Sequence, residues 1–134
     1  MTSRDDIERT LRTAYEARQR GDLDALAAVF APHARFRMAG SNASPIATLV
    51  EGAEQYRPLF AGMIKTFEIL DLKIVTMLVE GAKAAVQWHA RMRSSVTGET
   101  VETDLFDLVE IEDGRIVSFF EFCDTALAAR LMKS

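Results

Sequence analysis

The hydrophobic pattern of the chain changes its period near residue 67, and this change limits the possible folds more than any other feature. Before residue 67, apolar side chains recur at helical spacing. After it come four segments rich in β-branched and aromatic residues, at about 67–79, 83–96, 100–112 and 115–123. The segments are joined by Glu80-Gly81, Thr97-Gly98 and Asp113-Gly114, pairs that are typical of tight hairpin turns. The second half of the chain is therefore predicted to be a meander of long antiparallel strands.

Helices are predicted in the first half of the chain, at 3–20, 23–31 and 53–66. Ser3 and Asp22 can each cap the start of a helix, because their side-chain oxygens accept hydrogen bonds from free backbone N–H groups. Gly21 is expected to end the first helix and Pro32 the second. The remaining predicted elements are a strand at 33–38, a loop at 39–50 and a short C-terminal helix at 124–132.

Helices followed by a meander indicate an α+β fold. We expect a cone-shaped α+β barrel in which three N-terminal helices pack on a curved antiparallel sheet, formed as a single domain by residues 1–134. A curved sheet with helices on its concave face encloses a cavity, and such cavities are common small-molecule sites.

Charge and composition exclude several classes of function. The net charge of −4, with no basic patch, argues against nucleic-acid binding. No apolar run approaches the ~20 residues that a membrane span needs, and the first residues lack the apolar core of a signal peptide. Cys123 is the single cysteine, so no internal disulfide forms and a cytoplasmic location fits. The two histidines, His33 and His89, are far apart and no Gly-rich phosphate loop is present, so we expect neither a metal nor a cofactor.

Three strings of the sequence resemble one known family. The first is RGDLDAL at 20–26, followed by VFAPHA at 29–34. The second is Glu51-Gly52, before the third helix, and the last is EDGRIV at 112–117 followed by FFEFCD at 119–124. Together they resemble the SnoaL-like branch of the nuclear transport factor 2-like superfamily, which also includes ketosteroid isomerases and limonene epoxide hydrolases.

The resemblance implies a cystatin-like cone, a pocket for a small apolar molecule, and a homodimer formed through the sheet. It leaves the chemistry open, because the same cone hosts isomerases, polyketide cyclases, dehydratases, hydrolases and plain binding proteins. It implies no nucleic-acid or membrane partner. The outward face of the meander fits a dimer, because several of its residues are too apolar for solvent: Phe106, Leu108, Phe120 and Phe122.

Comparison with the ketosteroid isomerases argues against their mechanism in this chain. The position of their catalytic base falls on Met38, which cannot take a proton. The position of their helix tyrosine falls on Ala14, and Tyr15 is turned away from it by about 100° around the helix. Their late aspartate is matched by Asp107.

Resemblance to the other enzymes points to two carboxylates. Glu121 is at a position similar to one acid of the limonene epoxide hydrolases, and Arg91 or Arg93 would supply their guanidinium group. SnoaL is a polyketide cyclase with an aspartate acid/base on its late strands, and Asp107 and Glu121 are the nearest candidates here. We therefore take Asp107 and Glu121 as the candidate catalytic acid and base.

Alternation along the strands indicates which side chains point inward. Phe119, Glu121 and Cys123 share one face, and the family resemblance places that face inside. Burial would raise the pKa of either carboxyl group toward the range that acid–base catalysis uses. The alternatives are a surface or interface position for Asp107 and a structural salt bridge for Glu121. Cys123 is expected to be a small buried apolar residue.

The second strand of the meander can present either of two faces to the pocket. Trp88 and Met92 suit an interior, in which case His89 and Arg91 are solvated or lie at an interface. In the other arrangement, His89 and Arg91 are polar partners of the pocket. The full set of candidate ligand-binding residues is Tyr15, Phe36, Met38, Tyr56, Phe60, Trp88, Met92 and Phe119.

Three functions fit these observations. The first is an acid–base enzyme that isomerises, cyclises or dehydrates a small apolar cyclic or carbonyl compound. The second is a non-catalytic ligand-binding protein, which the absence of both the first-strand base and the helix tyrosine favours. The third is a dimerisation module, which is compatible with either of the others.

Overall fold

The computed structural model describes residues 3–133, so Met1, Thr2 and Ser134 of the expected domain 1–134 lie outside the described residues. Its helices are α1 (Arg4–Arg20), α2 (Leu23–Ala28), α3 (Ala53–Thr66) and α4 (Thr125–Leu131). Its strands are β1 (Phe30–Met38), β2 (Thr48–Glu51), β3 (Phe67–Glu80), β4 (Lys83–Ser94), β5 (Thr100–Glu112) and β6 (Arg115–Phe122). The strands form one six-stranded sheet in the order β2-β1-β6-β5-β4-β3. The predicted α+β class is confirmed.

The ends of the first two helices follow the predicted local chemistry. The Ser3 side chain accepts a hydrogen bond from the backbone N–H of Asp6 at the start of α1. Gly21 ends that helix with a φ of 70°, in the left-handed region that costs glycine little. The Asp22 side chain then accepts from the backbone N–H of Ala25 and begins α2.

The chain between α2 and α3 differs from the prediction. Helix α2 ends at Ala28 rather than at residue 31, because the Val29 carbonyl accepts a hydrogen bond from the Ile116 backbone N–H at 2.9 Å and draws the chain into the sheet. The predicted loop at 39–50 contains most of β2, which pairs antiparallel with β1. Strand β1 pairs with β6 in parallel, so one junction of the otherwise antiparallel sheet is parallel.

The β5–β6 hairpin sets the register that the site depends on. Asp113 and Gly114 have φ values of 50° and 77°, the two positive values that a two-residue type I′ turn requires. A register shift follows between Glu110 and Ile111, where β6 carries one extra residue. Beyond this bulge, Asp107 lies directly opposite Glu121.

The core lies between the helices and the concave face of the sheet. Helix α1 lies against β3 and α2, and its buried stripe includes Ile7, Leu11 and Tyr15. Inward-pointing residues of β4 and β5 alternate with exposed ones, as a sheet with one solvated face requires. This arrangement places the inward side chains of β4, β5 and β6 beneath α1.

A candidate acid–base site in an apolar cavity

A cavity of about 490 Å³ lies between the helices and the concave face of the sheet. This volume is within the usual range for small-molecule sites, about 300–1,000 Å³. Residues from α1, α3, α4 and the segment 45–48 line it together with the strands. The aromatic part of the lining consists of Tyr15, Phe30, Phe36, Phe60, Phe67, Trp88 and Phe119. The cavity therefore suits a ligand with an apolar body.

Most of the expected ligand-binding residues reach this cavity. The structure places on its wall Tyr15, Phe36, Met38, Phe60, Trp88, Met92 and Phe119. Tyr56 does not line it. Its ring stacks on Phe60 at 5.2 Å between centroids, and its hydroxyl donates a hydrogen bond to the Ala31 carbonyl at 3.2 Å. Tyr56 is a core residue that fastens α3 to β1, and its expected place in the site is wrong.

Asp107 is completely buried and receives two hydrogen bonds at one oxygen. The Tyr15 hydroxyl donates to Asp107 Oδ2 at 2.5 Å, and Trp88 Nε1 donates to the same oxygen at 2.7 Å. The expectation that Tyr15 is turned away from the tyrosine position of the site is therefore wrong. Helix α1 lies on the sheet with Tyr15 against Trp88, the ring centroids 5.5 Å apart.

Asp107 and Glu121 are a coupled pair of carboxyl groups on neighbouring strands. Burial raises the pKa of Asp107 well above its ordinary value of 3.8, and the negative charge of Glu121 raises it further. Burial also raises the pKa of Glu121, but a hydrogen bond from Asp107 and the positive charge of Arg18 oppose that shift. Asp107 is therefore the member of the pair that holds a proton when one proton is shared.

The second oxygen of Asp107 agrees with this protonation state. Among residues 3–133, Asp107 Oδ1 is a buried oxygen with no hydrogen-bond partner. A proton on Oδ1 resolves this, because the resulting O–H can donate to the carboxylate of Glu121. Tyr15, Trp88, Asp107 and Glu121 then form one continuous chain of hydrogen bonds.

The two carboxyl groups are not equivalent toward the cavity. Glu121 lines the cavity wall, whereas Asp107 lies behind it and is covered by Tyr15 and Trp88. Glu121 is thus the member of the pair that can touch a ligand. Asp107 reaches the cavity only through its contact with Glu121.

The charged residues expected from β4 lie on the outer face of the sheet. His89 contacts Asp104 Oδ1 through Nδ1 at 2.8 Å and Glu102 Oε1 through Nε2 at 3.3 Å. These two hydrogen bonds raise the pKa of His89. The inward positions of β4 hold Trp88 and Met92 instead. The structure therefore has the favoured arrangement, with Trp88 and Met92 inside, and the alternative with His89 and Arg91 as polar partners of the pocket is wrong.

Arg93 is likewise on the outer face, where its Nη2 donates to Glu68 Oε1 at 2.6 Å. Arg91 is exposed at the neighbouring outward position of the same strand. Neither residue can supply a guanidinium group to the cavity, so that expectation is also wrong.

Sequence reasoning missed Arg18, which supplies the guanidinium group of the cavity. Arg18 lines the wall from α1, and its Nη2 donates to the Phe67 carbonyl at 2.8 Å and the Met63 carbonyl at 3.3 Å. Burial lowers the pKa of Arg18, while the charge of Glu121 opposes the shift. The available signal was spacing: Arg18 follows Ala14 by four residues and Tyr15 by three, which puts it on the inward face.

Cys123 also lines the cavity, two residues after Glu121. Burial and the nearby acidic groups raise the pKa of its thiol to about 11. The thiol is therefore protonated near neutral pH and is not an activated nucleophile.

Within residues 3–133, no three His, Cys, Asp or Glu side chains are grouped so that they could hold a metal ion. Over the same stretch, no helix combines the length and apolar character needed to cross a membrane.

The raised pKa values predict a stability that falls as pH rises. A carboxyl group with a raised pKa binds protons more tightly in the folded state, so its contribution is complete below about pH 4 and is lost as pH rises through the folded value. Asp107→Asn retains an acceptor for Tyr15 and Trp88 and a donor to Glu121 without titrating. The free energy of unfolding of this variant should gain on wild type as the pH rises above the ordinary carboxyl range, because wild type must either keep Asp107 protonated or bury its charge.

Chemical denaturation across this pH range measures the difference. Asp71→Asn is the matched control, because Asp71 is an exposed carboxylate on β3. A constant difference between Asp107→Asn and wild type at every pH would contradict a protonated Asp107.

Comparisons with known proteins agree with this architecture. The SnoaL-like domain model matches residues 11–119. None of the curated proteins matches the sequence. Among solved structures, a proposed isomerase from Bacillus subtilis has a TM-score of 0.87 at 16% identity, with 98% of this chain and 95% of that chain covered.

Two further solved structures show the same fold. An uncharacterised protein with a cystatin-like fold from Xanthomonas campestris has a TM-score of 0.78 at 21% identity, with both chains covered completely. An LEH-like epoxide hydrolase from M. tuberculosis has a TM-score of 0.72 at 17% identity, covering 92% of this chain and 86% of that chain. Identities this low show a shared fold alone. The family match spans most of the sequence, and the chain therefore belongs to the SnoaL-like domain family of the NTF2-like fold.

Proposed function

We propose that residues 1–134 act as one SnoaL-like domain that performs acid–base catalysis on a small, largely apolar compound, of cyclic or carbonyl-containing type. The supporting observation is Glu121, a carboxyl group on the wall of an apolar cavity and directly opposite the buried Asp107. Isomerisation, cyclisation and dehydration each need a proton to be removed at one atom and returned at another. A carboxyl group with a raised pKa can do both near neutral pH.

The roles of the two carboxyl groups follow from their positions. In the resting state Asp107 is protonated and Glu121 is ionised, so Glu121 is the base that takes a proton from the ligand. The O–H of Asp107 stabilises the Glu121 carboxylate and fixes its orientation. After proton transfer, the neutral Glu121 is the acid that returns the proton. A positioned group of this kind contributes on the order of 10²–10⁴ in rate.

This assignment differs from the mechanism of the ketosteroid isomerases. Met38 occupies their base position, and it lines the cavity as an apolar residue. Tyr15 and Asp107 are hydrogen-bonded to each other, so the Tyr15 hydroxyl is occupied by Asp107 and is not free for a ligand oxygen. The proposed isomerase and the LEH-like epoxide hydrolase among the structural relatives lend support to an enzyme, without naming the reaction.

A non-catalytic ligand-binding protein is the second candidate function. It is favoured by the cavity wall, which holds only one of the two candidate catalytic carboxyl groups, Glu121. In that case the buried pair would serve to hold α1 on the sheet through Tyr15. For either function we propose a cytoplasmic protein that needs no metal or cofactor and has no nucleic-acid or membrane partner.

We further propose a homodimer formed through the outer face of the sheet, with either function. Phe106, Leu108 and Phe122 remain 43%, 44% and 42% exposed on the neighbouring strands β5 and β6. Phe122 contacts both Phe106 and Phe120, with ring centroids 6.4 and 4.4 Å apart, so these side chains form one continuous apolar patch. A two-fold axis through this patch would bring it against its own copy.

Deuterium exchange into cyclic ketones tests the catalytic proposal without knowledge of the natural substrate. The wild-type protein should accelerate exchange at the carbon next to the carbonyl of 2-tetralone or 2-indanone, followed by proton NMR in deuterated buffer. Glu121→Gln should reduce the acceleration by about 10²–10⁴, because the amide cannot take a proton. Glu112→Gln, at an exposed position of β5, is the matched control and should behave as wild type.

If wild type and Glu121→Gln exchange at the same rate while the ketones still raise the unfolding temperature, the catalytic proposal fails. The ligand-binding function would then stand in its place.

Sedimentation tests the dimer. The 14.9 kDa chain should sediment as a dimer, and Phe106→Arg should convert it to a monomer, because a charge at the centre of the patch would be desolvated on association. Val96→Arg places the same charge at an apolar side chain in the β4–β5 turn, 41% exposed and away from the patch, and should leave the dimer intact. A monomeric wild type, or a dimeric Phe106→Arg, would refute this assembly.

A further inference from the structure

Arg18 is a cation within a cavity whose lining is otherwise mostly apolar. Its guanidinium group is tied to the protein through one nitrogen, because both of its hydrogen bonds to Met63 and Phe67 carbonyls come from Nη2. A guanidinium group has five N–H donors on three nitrogens. Within residues 3–133, Nε and Nη1 have no hydrogen-bond partner, so most of the donor capacity of this half-buried cation is unused.

Neither nitrogen is a fully buried unpaired atom, so water can reach both, and losing that water without gaining another acceptor is costly. A ligand without a polar group would displace water from Arg18 and leave these donors unpaired. A carboxylate would instead match them, since its two oxygens fit the planar edge of a guanidinium group and form charge-assisted hydrogen bonds. The nearby carbonyls hold the group in place, so little freedom is lost when a ligand binds.

The charges of the cavity permit an anionic ligand. With Asp107 protonated, the wall carries one positive charge at Arg18 and two acidic side chains, Glu121 and Asp124. Asp124 is the exposed one, and its Oδ1 accepts a hydrogen bond from the Leu127 backbone N–H at 3.0 Å. The charges of Arg18 and Glu121 interact. A ligand carboxylate near Arg18 is attracted by that cation and repelled by Glu121. Neutralising Glu121 should therefore strengthen the binding of an anion.

We propose that the cavity takes a small cyclic carboxylate whose anionic oxygens bind Arg18 and whose apolar ring system lies among the aromatic side chains. The bound carboxylate is also a substrate only if the proposed catalytic function of Glu121 holds, and to that extent this inference rests on the proposed function. Arg18 is then the residue that determines which apolar compounds bind and how they are oriented toward Glu121.

A matched ligand pair tests this on the unmodified protein. 1-Naphthoate and 1-naphthamide have nearly the same shape and differ in charge, and calorimetric titration measures the affinity of each. Wild type should bind the carboxylate about tenfold or more tightly than the amide, which is the scale of a charge-assisted pair. Equal affinity for the two compounds, or no binding of naphthoate, would overturn the inference.

Variants then locate the selectivity. Arg18→Gln keeps a donor for the Met63 and Phe67 carbonyls but loses the charge, so it should lose the preference for naphthoate and bind the amide as wild type does. If Arg18→Gln does not fold, Arg18→Lys takes its place. It keeps the charge but loses the planar fork, so it should retain only part of the preference for naphthoate. Arg12→Gln removes an exposed charge from the same helix and should change neither affinity. A preference for naphthoate that survives in Arg18→Gln would overturn the inference.

Glu121→Gln separates this inference from the proposed function. It should bind naphthoate more tightly than wild type, although it has lost the capacity for proton transfer. If the protein prefers the carboxylate but does not accelerate ketone exchange, the catalytic proposal fails and the inference of a carboxylate ligand stands. If ketone exchange depends on Glu121 but the protein does not prefer the carboxylate, the catalytic proposal stands and the inference of a carboxylate ligand fails.

Discussion

The hydrogen bond from the Tyr15 hydroxyl to Asp107 joins the helical layer to the sheet, and the geometry of the site depends on it. An ionised carboxylate at a fully buried position would be very costly, and a second carboxyl group directly opposite increases that cost. The pair avoids this cost by sharing one proton, and Tyr15 and Trp88 donate hydrogen bonds to Oδ2 of Asp107. The same contact fixes the position of α1 over β5, and Arg18 lies one turn further along that helix.

Much of this fold is readable from local chemistry. The change of hydrophobic period near residue 67 separates helices from strands, and Asp113-Gly114 has the conformation that its sequence predicts. The inward position of Glu121 was supplied by family resemblance, because plain alternation along β6 fails. Ile116 and Phe119 are both buried although they are three residues apart, and the bulge between them reverses which side chains point inward.

The parts that could not be predicted depend on how elements pack against each other. Periodicity places Tyr15 and Arg18 near the inward face of α1, but the rotation of the helix over the sheet decides what they touch. Tyr56 has the same apolar character as the cavity residues, yet its hydroxyl reaches a backbone carbonyl of β1 instead. The orientation of β4 was open for the same reason: the character of Trp88 and Met92 favoured an inward position, but the packing that decides it is seen only in the structure, where Trp88 donates to Asp107.

The most direct test of this account is the protonation state of the pair, read from the carboxyl ¹³C chemical shifts of Asp107 and Glu121 as pH is varied. Single substitutions assign the two signals. We predict that Asp107 remains protonated at neutral pH and that Glu121 titrates below it, with both above the ordinary carboxyl range. Titration of both groups near pH 4 would contradict the shared proton, and with it the acid–base site built on that proton.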